Sequence, residues 1–335
     1  MRSSEDDVCA RDNWQECGVD APLEWTAAGI WSDVLSKTRR ILHLSGIVAA
    51  LHKVRQMIHF GPWRHIAIGV IRRRRHAQAS QARIGESIVG DLNPAEIVAE
   101  LRNSGVVVGG LLPSEFVQRV RSRTDRLPPN EYLLVHEVDE DLESLTRDPT
   151  LWRILREYFK CEPVLLEASL SVTRAEANSL DCDQNLFHFD YAGWESLNVF
   201  VYLTDVDDAA SFHVVARGSH VGRTLAEIMA GPLTDKQGRE KFGSQLLDVK
   251  GQAGTFFFEN TEAFHRRRRG NQRRVMLNLL FASHRSSLSY GRASRSQLKM
   301  RDREYSKVRK ALGGEVCHSA CENTGAGDHS RDQVL

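Results

Sequence analysis

The chain has 335 residues, of which 41% are hydrophobic and 27% charged, and its formal net charge is +1. These proportions are normal for a globular protein and leave room for a sizeable core. The six cysteines are scattered along the chain, a distribution that does not favour a disulfide framework at this length.

The first residues and the apolar stretches bear on where the protein works. The acidic opening MRSSEDDVCARDNW lacks the basic and apolar regions of a signal peptide. Stretches such as SGIVAAL and VVVGGLL are too short to span a bilayer. We therefore expect a cytoplasmic, soluble protein, with peripheral attachment to a membrane as an alternative.

Charge is distributed unevenly over the N-terminal quarter of the chain. Residues 1–33 carry eight acids and two arginines and are expected to form a flexible arm, whereas residues 34–85 carry eleven lysines and arginines and no acid. In this basic segment apolar residues recur at helical spacing, which predicts two amphipathic helices broken at Gly61, Pro62 and Trp63. Packing or oligomerisation helices with a solvated basic side are the favoured interpretation. Contact with an anionic membrane surface is the alternative, and nucleic acid is not an expected partner.

Helices are predicted before strands in the remainder of the chain. Asn93 and Pro94 predict a helix start and Gly105 its stop, a buried strand follows at 106–108, and a second helix begins at Pro113. PTLWRILREYFK is a further amphipathic helix. Six segments then have strand character: PVLLEASLSVTR, LFHFDYA, LNVFVYLTDV, SFHVVARGSH, GTFFFEN and RRVMLNLLFAS. This order favours an α+β domain built on a β-sandwich or barrel.

One predicted strand places a histidine and an aspartate two residues apart. Because side chains at i and i+2 of a strand share a face, His188 and Asp190 would point together toward whatever that face covers. A metal ion is one way to satisfy both buried groups, and one further histidine would complete the facial triad of non-haem Fe(II) oxygenases. The candidates for that third ligand are His213, His220, His265 and His284. His265 is favoured because it follows the apolar strand GTFFFEN.

Several ordered motifs resemble the phytanoyl-CoA dioxygenase-like (PhyH) family of Fe(II)/2-oxoglutarate-dependent oxygenases. The resemblance runs from about residue 93 to residue 281 and rests on LRNSGVVVGGLLPSEFVQRV, FHFDYAGW, VFVYLTDVDD, VVARGSH and GQAGTFFFENTEAFHR followed by RRVMLNLLFAS. It implies a double-stranded β-helix, that is, a jelly-roll or cupin-like core with flanking helices. The resemblance and the composition together predict an arm at 1–33, the basic segment at 34–85, the oxygenase domain at 86–312 and, from its polar and aromatic-free composition, a disordered tail at 313–335.

The resemblance also implies roles for particular residues. His188, Asp190 and His265 would bind iron. Arg274 or Arg273 would pair with the distal carboxylate of 2-oxoglutarate, with Arg274 favoured, and neighbours on a strand face opposite ways, so only one can point inward. Two further residues are then assigned: Asn198 would touch 2-oxoglutarate, and Trp194 would line the substrate pocket, with ordinary core packing as an equal alternative.

Arginines follow the distal histidine in an unbroken run from Arg266 to Arg269. Arg267 stands where the family commonly has a small or polar residue, so one 2-oxoglutarate contact is in question. Recruitment of an anionic substrate and a solvated hairpin are equally weighted interpretations of the run. His213 and His220 are expected to be structural.

The function implied by the resemblance is oxidation of a small molecule. Fe(II), 2-oxoglutarate and O2 would be used to hydroxylate an unactivated C–H bond, or for a related oxidation such as desaturation, with release of succinate and CO2. The alternative is a non-catalytic or differently metallated jelly-roll protein that binds a ligand and is tethered to membrane or nucleic acid by its basic segment.

Overall fold

The computed structural model describes residues 44–76, 85–127, 130–134, 139–173 and 183–285. Two compact units divide the chain, Met1–His52 and Lys53–Leu335. Of the first unit only helical residues from Leu44 onward are described, so the predicted arm at 1–33 lies outside the described residues, as does the predicted tail at 313–335. None of the described helices has the length and apolar character needed to cross a membrane.

Two helices occupy the described part of the basic segment. Helix α1 (Leu44–His59) and helix α2 (Arg64–His76) are separated by the GPW turn, which confirms the predicted break. Their inward faces are bonded to the rest of the second unit. Lys53 donates to the carbonyl of Ile228 (2.7 Å), and Arg72 forms an ion pair with Glu195 (2.5 Å).

The outward faces of these helices carry apolar side chains. Between Lys53 and His76, the exposed large hydrophobic residues are Val54, Met57, Trp63, Ile66 and Val70. Within residues 53–76, Lys53 and Arg72 are bonded to the protein, while Arg73 and Arg74 are exposed beside the apolar side chains. The expected solvated basic side is thus present in part of these helices.

Four helices come next, interrupted by the first two strands. Helix α3 (Pro94–Ser104) begins where the Asn93 side chain accepts a hydrogen bond from the Ala95 N–H (3.0 Å), and it ends at Gly105, whose φ of 82° favours glycine. The other three are α4 (Ser114–Thr124), α5 (Glu140–Leu145) and α6 (Pro149–Phe159).

Among the described residues, nine strands form two antiparallel sheets. They are β1 (Val106–Leu111), β2 (Asn130–Leu134), β3 (Val164–Thr173), β4 (Ser196–Tyr202), β5 (Phe212–Ala216), β6 (Leu246–Val249), β7 (Thr255–Glu259), β8 (His265–Arg268) and β9 (Arg274–Ala282). The large sheet has the order β1-β7-β4-β9-β3-β2 and the small sheet the order β6-β5-β8. Helices α7 (Leu225–Ala230) and α8 (Asp235–Phe242) lie between β5 and β6 in the sequence.

The central strands β7, β4 and β9 of the large sheet are buried on both faces. Val199 and Leu277 belong to one hydrophobic cluster with helix residues such as Leu101. Side chains on the opposite face, such as Phe200, belong to a second cluster with residues of the small sheet such as Phe212. We call the side of the large sheet that bears Phe200 its inner face. The fold is thus a mixture of helices and antiparallel sheets, with the inner face turned toward the small sheet.

Residues 186–194, which contain LFHFDYA, do not form the regular strand that their alternation predicts. The segment is extended and makes isolated bridges, Phe187 with Leu233 and His188 with His265. The side-chain alternation nevertheless holds, because Phe187 and Phe189 are buried in the second cluster. The segment bonds to β8 at His265 and to Leu233 and Thr261 outside that strand, so it lacks a continuous ladder.

Candidate functional site

Reciprocal backbone hydrogen bonds bring two distant histidines together. The N–H of His188 donates to the carbonyl of His265 (2.9 Å), and the N–H of His265 donates to the carbonyl of His188 (2.8 Å). Two residues further on, the Asp190 N–H donates to the Thr261 carbonyl (2.8 Å). These bonds hold the segment around Asp190 against the chain that leads into β8.

The three side chains converge on one point. Ligating atoms of His188, Asp190 and His265 all lie within 4.8 Å of one another, and this is the group that could hold a metal ion among the described residues. The Nε2 of His265 is 3.8 Å from an Asp190 carboxylate oxygen. Two imidazoles and one carboxylate are the donor set of a facial triad, so the residues fit a divalent transition metal.

The orientation of each imidazole leaves the same nitrogen for a metal. His188 Nδ1 donates to the carbonyl of Leu186 (2.8 Å), and His265 Nδ1 donates to the carbonyl of Ala263 (2.9 Å). Because a carbonyl can only accept, the hydrogen is on Nδ1 in both rings and the lone pair is on Nε2. Such bonds on the far side of the ring fix the tautomer and direction of metal-binding histidines.

Burial disfavours charge at the site in the absence of a cation. It raises the pKa of Asp190 to about 7, and it lowers the pKa of His265 to about 3, with a further contribution from neighbouring His188. The neutral imidazole is the form that binds a metal. A cation at this point would oppose the effect of burial on Asp190 and favour its carboxylate.

Arg273 and Arg274 have different environments. Arg273 donates to the carbonyls of Thr124 (2.9 Å) and Leu127 (3.0 Å), at the end of α4. Arg274 is 2% exposed and donates from Nη1 to the carbonyl of Ser211 (3.1 Å), in the residues that lead into β5. Arg274 is thus directed toward the small sheet and Arg273 away from it.

Both polar atoms of the Asn198 side-chain amide form hydrogen bonds with other side chains. Its Nδ2 donates to the Asn278 side chain (2.8 Å), and its Oδ1 accepts from the Thr261 hydroxyl (3.1 Å). Since the Thr261 carbonyl also receives the Asp190 N–H, Asn198 helps to fix the turn that holds Asp190. A contact with 2-oxoglutarate stays a prediction for this residue.

Trp194 lies against helix α1. Its ring stacks on His59, with centroids 5.4 Å apart and planes inclined by 8°, and its carbonyl accepts from Arg64 (2.8 Å). The structure therefore shows Trp194 packed against His59, in agreement with the core-packing alternative. A role in lining the substrate pocket stays a prediction.

The other histidine candidates do not join the metal group. His220 Nε2 lies 3.2 Å from the Arg102 carbonyl, and His284 Nδ1 lies 3.2 Å from the Ser283 hydroxyl. His213 pairs with Glu259 at 3.0 Å.

Glu259 is a buried residue of the site region that the sequence did not single out. It is fully buried, and its Oε1 lies 3.7 Å from His265 Nδ1. In the sequence, the feature that could have identified Glu259 is its position as a carboxylate at the end of the otherwise apolar strand TFFFE. Its partner His213 comes from the other sheet, so only the folded arrangement identifies the pair.

The arginine run is engaged by neighbouring carboxylates. Arg266 pairs with Asp235 (2.5 Å), and Arg268 pairs with Asp208 (3.1 Å). Arg267 is the cross-strand neighbour of His213. Strand β8 pairs with β5 while β9 belongs to the large sheet, and Arg266 is buried, so the expectation of a solvated hairpin is wrong. Recruitment of an anionic substrate stays a prediction.

No protein-family model and no curated protein sequence matches the chain. Solved structures do resemble it. HygX from Streptomyces hygroscopicus, with nickel and 2-oxoglutarate bound, is 17% identical, and the alignment covers 57% of this chain and 87% of HygX with a TM-score of 0.44. AviO1 from Streptomyces viridochromogenes Tue57 is 14% identical over 61% of this chain and 100% of AviO1, with a TM-score of 0.39. SnoN, a non-heme alpha ketoglutarate dependent epimerase from nogalamycin biosynthesis, is 14% identical over 56% of this chain and 82% of SnoN, with a TM-score of 0.41.

Proposed function

We propose that the protein is an Fe(II)- and 2-oxoglutarate-dependent oxygenase that acts on a small molecule. The observation that carries this proposal is the convergence of His188, Asp190 and His265, with both Nδ1 atoms bonded to carbonyls and both Nε2 atoms left for a metal. A structural zinc site would instead use four protein ligands. A three-ligand site leaves coordination positions for other molecules.

Arg274 is the proposed partner of the distal carboxylate of 2-oxoglutarate. It is buried and directed toward the small sheet, where a guanidinium can bind a carboxylate in bidentate fashion away from water. Asn198 is proposed as a second contact. When bound, iron, 2-oxoglutarate and O2 would supply the oxidising chemistry, with succinate and CO2 as products.

The two-sheet arrangement supports a double-stranded β-helix as the core of this enzyme. A six-stranded and a three-stranded antiparallel sheet pack inner side chains together, and the metal group lies where β8 meets the segment at 186–194. Hydroxylation is the proposed outcome.

Succinate formation tests the proposed function. Protein loaded anaerobically with Fe(II) and 2-oxoglutarate is mixed with a metabolite library, and succinate is measured after oxygen is admitted. We expect stimulation by one or more compounds in the wild-type protein and none in Asp190→Ala. Absence of any stimulated succinate from wild-type protein that has bound its metal would contradict the proposal.

Membrane contact by the basic segment is a separate part of the proposal. The exposed apolar side chains Trp63 and Ile66 lie in a segment without acids, as in helices that rest on anionic lipid surfaces. We expect the full chain to sediment with vesicles of three parts phosphatidylcholine to one part phosphatidylserine, and less so after Trp63→Ser/Ile66→Ser. Equal sedimentation of both proteins would contradict membrane contact by Trp63 and Ile66.

A further inference from the structure

A histidine and a glutamate face each other in the space between the two sheets. His213 is on β5 and Glu259 is the last residue of β7. Both are buried, and His213 Nδ1 lies 3.0 Å from Glu259 Oε2. Neither residue belongs to the metal group, and the proposed function assigns them no role.

The register of the small sheet places His213 beside the metal ligand. On neighbouring strands, His213 is opposite Arg267 and Val215 is opposite His265. Since side chains two residues apart share a face, His213 and His265 both face the large sheet. Their rings are nearly parallel, inclined by 10°, with centroids 6.4 Å apart.

His213 is also close to the arginine proposed to bind 2-oxoglutarate. The backbone N–H of His213 lies 3.4 Å from the Tyr202 hydroxyl on β4, and Arg274 donates to the carbonyl of Ser211, two residues before His213. The charge of Arg274 adds to the effect of burial in lowering the pKa of His213. The imidazole thus lies beside the ring of His265, and the Ser211 carbonyl that Arg274 contacts is two residues away in the chain.

The bond to Glu259 determines which ring nitrogen faces away from the pair. Nδ1 is directed at Glu259, so Nε2 lies on the other side of the ring. Both side chains are buried, which favours a pair without net charge. Such a pair holds one hydrogen between Nδ1 and the Glu259 carboxyl and a second on Nε2, so Nε2 is a donor.

We propose that His213, oriented by Glu259, is a binding residue that donates from Nε2 to the distal carboxylate of the 2-oxo acid cosubstrate, beside Arg274. This inference rests on the proposed function and deepens it. Glu259 acts through His213 and is a positioning residue. The pair would raise affinity for a dicarboxylic 2-oxo acid over a monocarboxylic one, because only the former presents a second carboxylate to the donor.

The experiment compares two acids that differ only in that carboxylate. Dissociation constants of 2-oxoglutarate and 2-oxovalerate are measured by calorimetry on the full chain loaded with Mn(II). We expect His213→Leu to weaken 2-oxoglutarate about ten- to a hundredfold and to change the affinities of 2-oxovalerate and Mn(II) less than about threefold. His213→Gln, whose amide can still donate, is expected to recover most of the loss.

Controls separate binding from folding. His213→Leu leaves Glu259 without its partner, so the variant His213→Leu/Glu259→Leu is measured as well, and it should show the same selective loss. Glu259→Gln keeps a donor toward Nδ1 and should retain the preference for 2-oxoglutarate. His220→Gln, which changes a histidine bonded to the Arg102 carbonyl, should leave all three constants unchanged.

The outcomes are distinguishable. Equal weakening of both acids, or an unchanged ratio of their affinities in His213→Leu, would overturn the inference while leaving the proposed function standing. Failure of the wild-type protein to bind Mn(II) or 2-oxoglutarate would overturn both.

Discussion

Glu262 links the N-terminal helices to the chain that carries the distal metal ligand. Its carboxylate accepts from Arg64 (2.5 and 2.6 Å) and lies 3.4 Å from His59 Nε2, three residues before His265 in the sequence. Burial alone would raise the pKa of Glu262, but Arg64 and His59 outweigh it and lower the pKa to about 2. At the scale of single residues, this ion pair makes the stability of the fold depend on pH in the acid range.

Stability should therefore fall as Glu262 becomes protonated. A pKa below its ordinary value of 4.5 means that the stabilisation is complete above about pH 4.5 and is lost as the pH falls toward 2. We expect Glu262→Gln to lower the free energy of unfolding by about 3 kcal/mol at pH 7 and by clearly less at pH 3. Urea unfolding of both proteins at the two pH values measures this, and a difference independent of pH would contradict it.

The two adjacent arginines offer a second test at the residue scale. Arg274→Gln should weaken 2-oxoglutarate binding to the Mn(II) protein about a hundredfold, because a buried guanidinium partner of a carboxylate is lost. Arg273→Gln is the matched control. It should leave that affinity unchanged and lower the free energy of unfolding by about 1–2 kcal/mol through lost bonds to Thr124 and Leu127. Calorimetry and urea unfolding distinguish the two, and a reversed pattern would assign the role to Arg273.

At the scale of elements, helix α8 supports the metal-binding segment through a close approach. A Cβ on Gly238 would lie 2.2 Å from the ring of Phe187, which is fully buried and precedes His188. The helix can therefore approach this ring only because Gly238 has no side chain.

Alanine at Gly238 should disturb the site as well as the fold. Alanine normally favours a helix over glycine, but here the methyl group would displace Phe187, so we expect a loss of about 1–3 kcal/mol in unfolding free energy and weaker Mn(II) binding. Gly69→Ala in α2 is the control, since a Cβ there meets nothing within 4 Å and should be neutral or stabilising. Calorimetry with Mn(II) and urea unfolding test both variants. Unchanged Mn(II) affinity in Gly238→Ala would contradict the support of the metal-binding segment by helix α8.

Local signals could be predicted from the sequence, whereas pairings between distant elements could not. Asn93 and Gly105 mark helix ends because they bond to their own backbone neighbourhood. The shared face of His188 and Asp190 likewise follows from alternation, which holds in an extended segment even without a ladder. Strand β8 was missed because HRRR has no strand pattern of its own, and it is extended because it pairs with β5.

For the site, alternation predicted that only one of two adjacent arginines faces inward, but which one depends on the fold. Arg273 bonds to the end of α4, and this contact is fixed by the packing of helices on the large sheet. The contact between Glu259 and His213 could not be predicted from the sequence either. It joins residues from two sheets, and each residue alone had an ordinary interpretation.

At the scale of the whole molecule, the large sheet separates two environments. One face packs on helices in an apolar core, and the inner face carries polar residues such as Asn198 and Glu259 among aromatic ones. A ligand bound at the inner face would contact both sheets. Metal binding should therefore stabilise the folded state as a whole.

Thermodynamic linkage gives the size of that stabilisation. Free Mn(II) at a hundred times its dissociation constant should raise the free energy of unfolding by about 2.7 kcal/mol. The increase should be absent in Asp190→Ala and intact in Asp91→Ala, which changes an aspartate whose side chain is 95% exposed. Urea unfolding with and without Mn(II) measures it, and an equal increase in all three proteins would place the metal elsewhere.

The reciprocal hydrogen bonds between His188 and His265 join residues 77 positions apart in the sequence. Of these three ligands, an unfolded chain holds only His188 and Asp190 close together in sequence, because the third ligand is brought in by the completed topology. Metal capture should then follow folding and not nucleate it, so that the refolding rate is insensitive to the cation while the unfolding rate falls. A newly synthesised chain would thus reach its native topology first and acquire its metal afterwards.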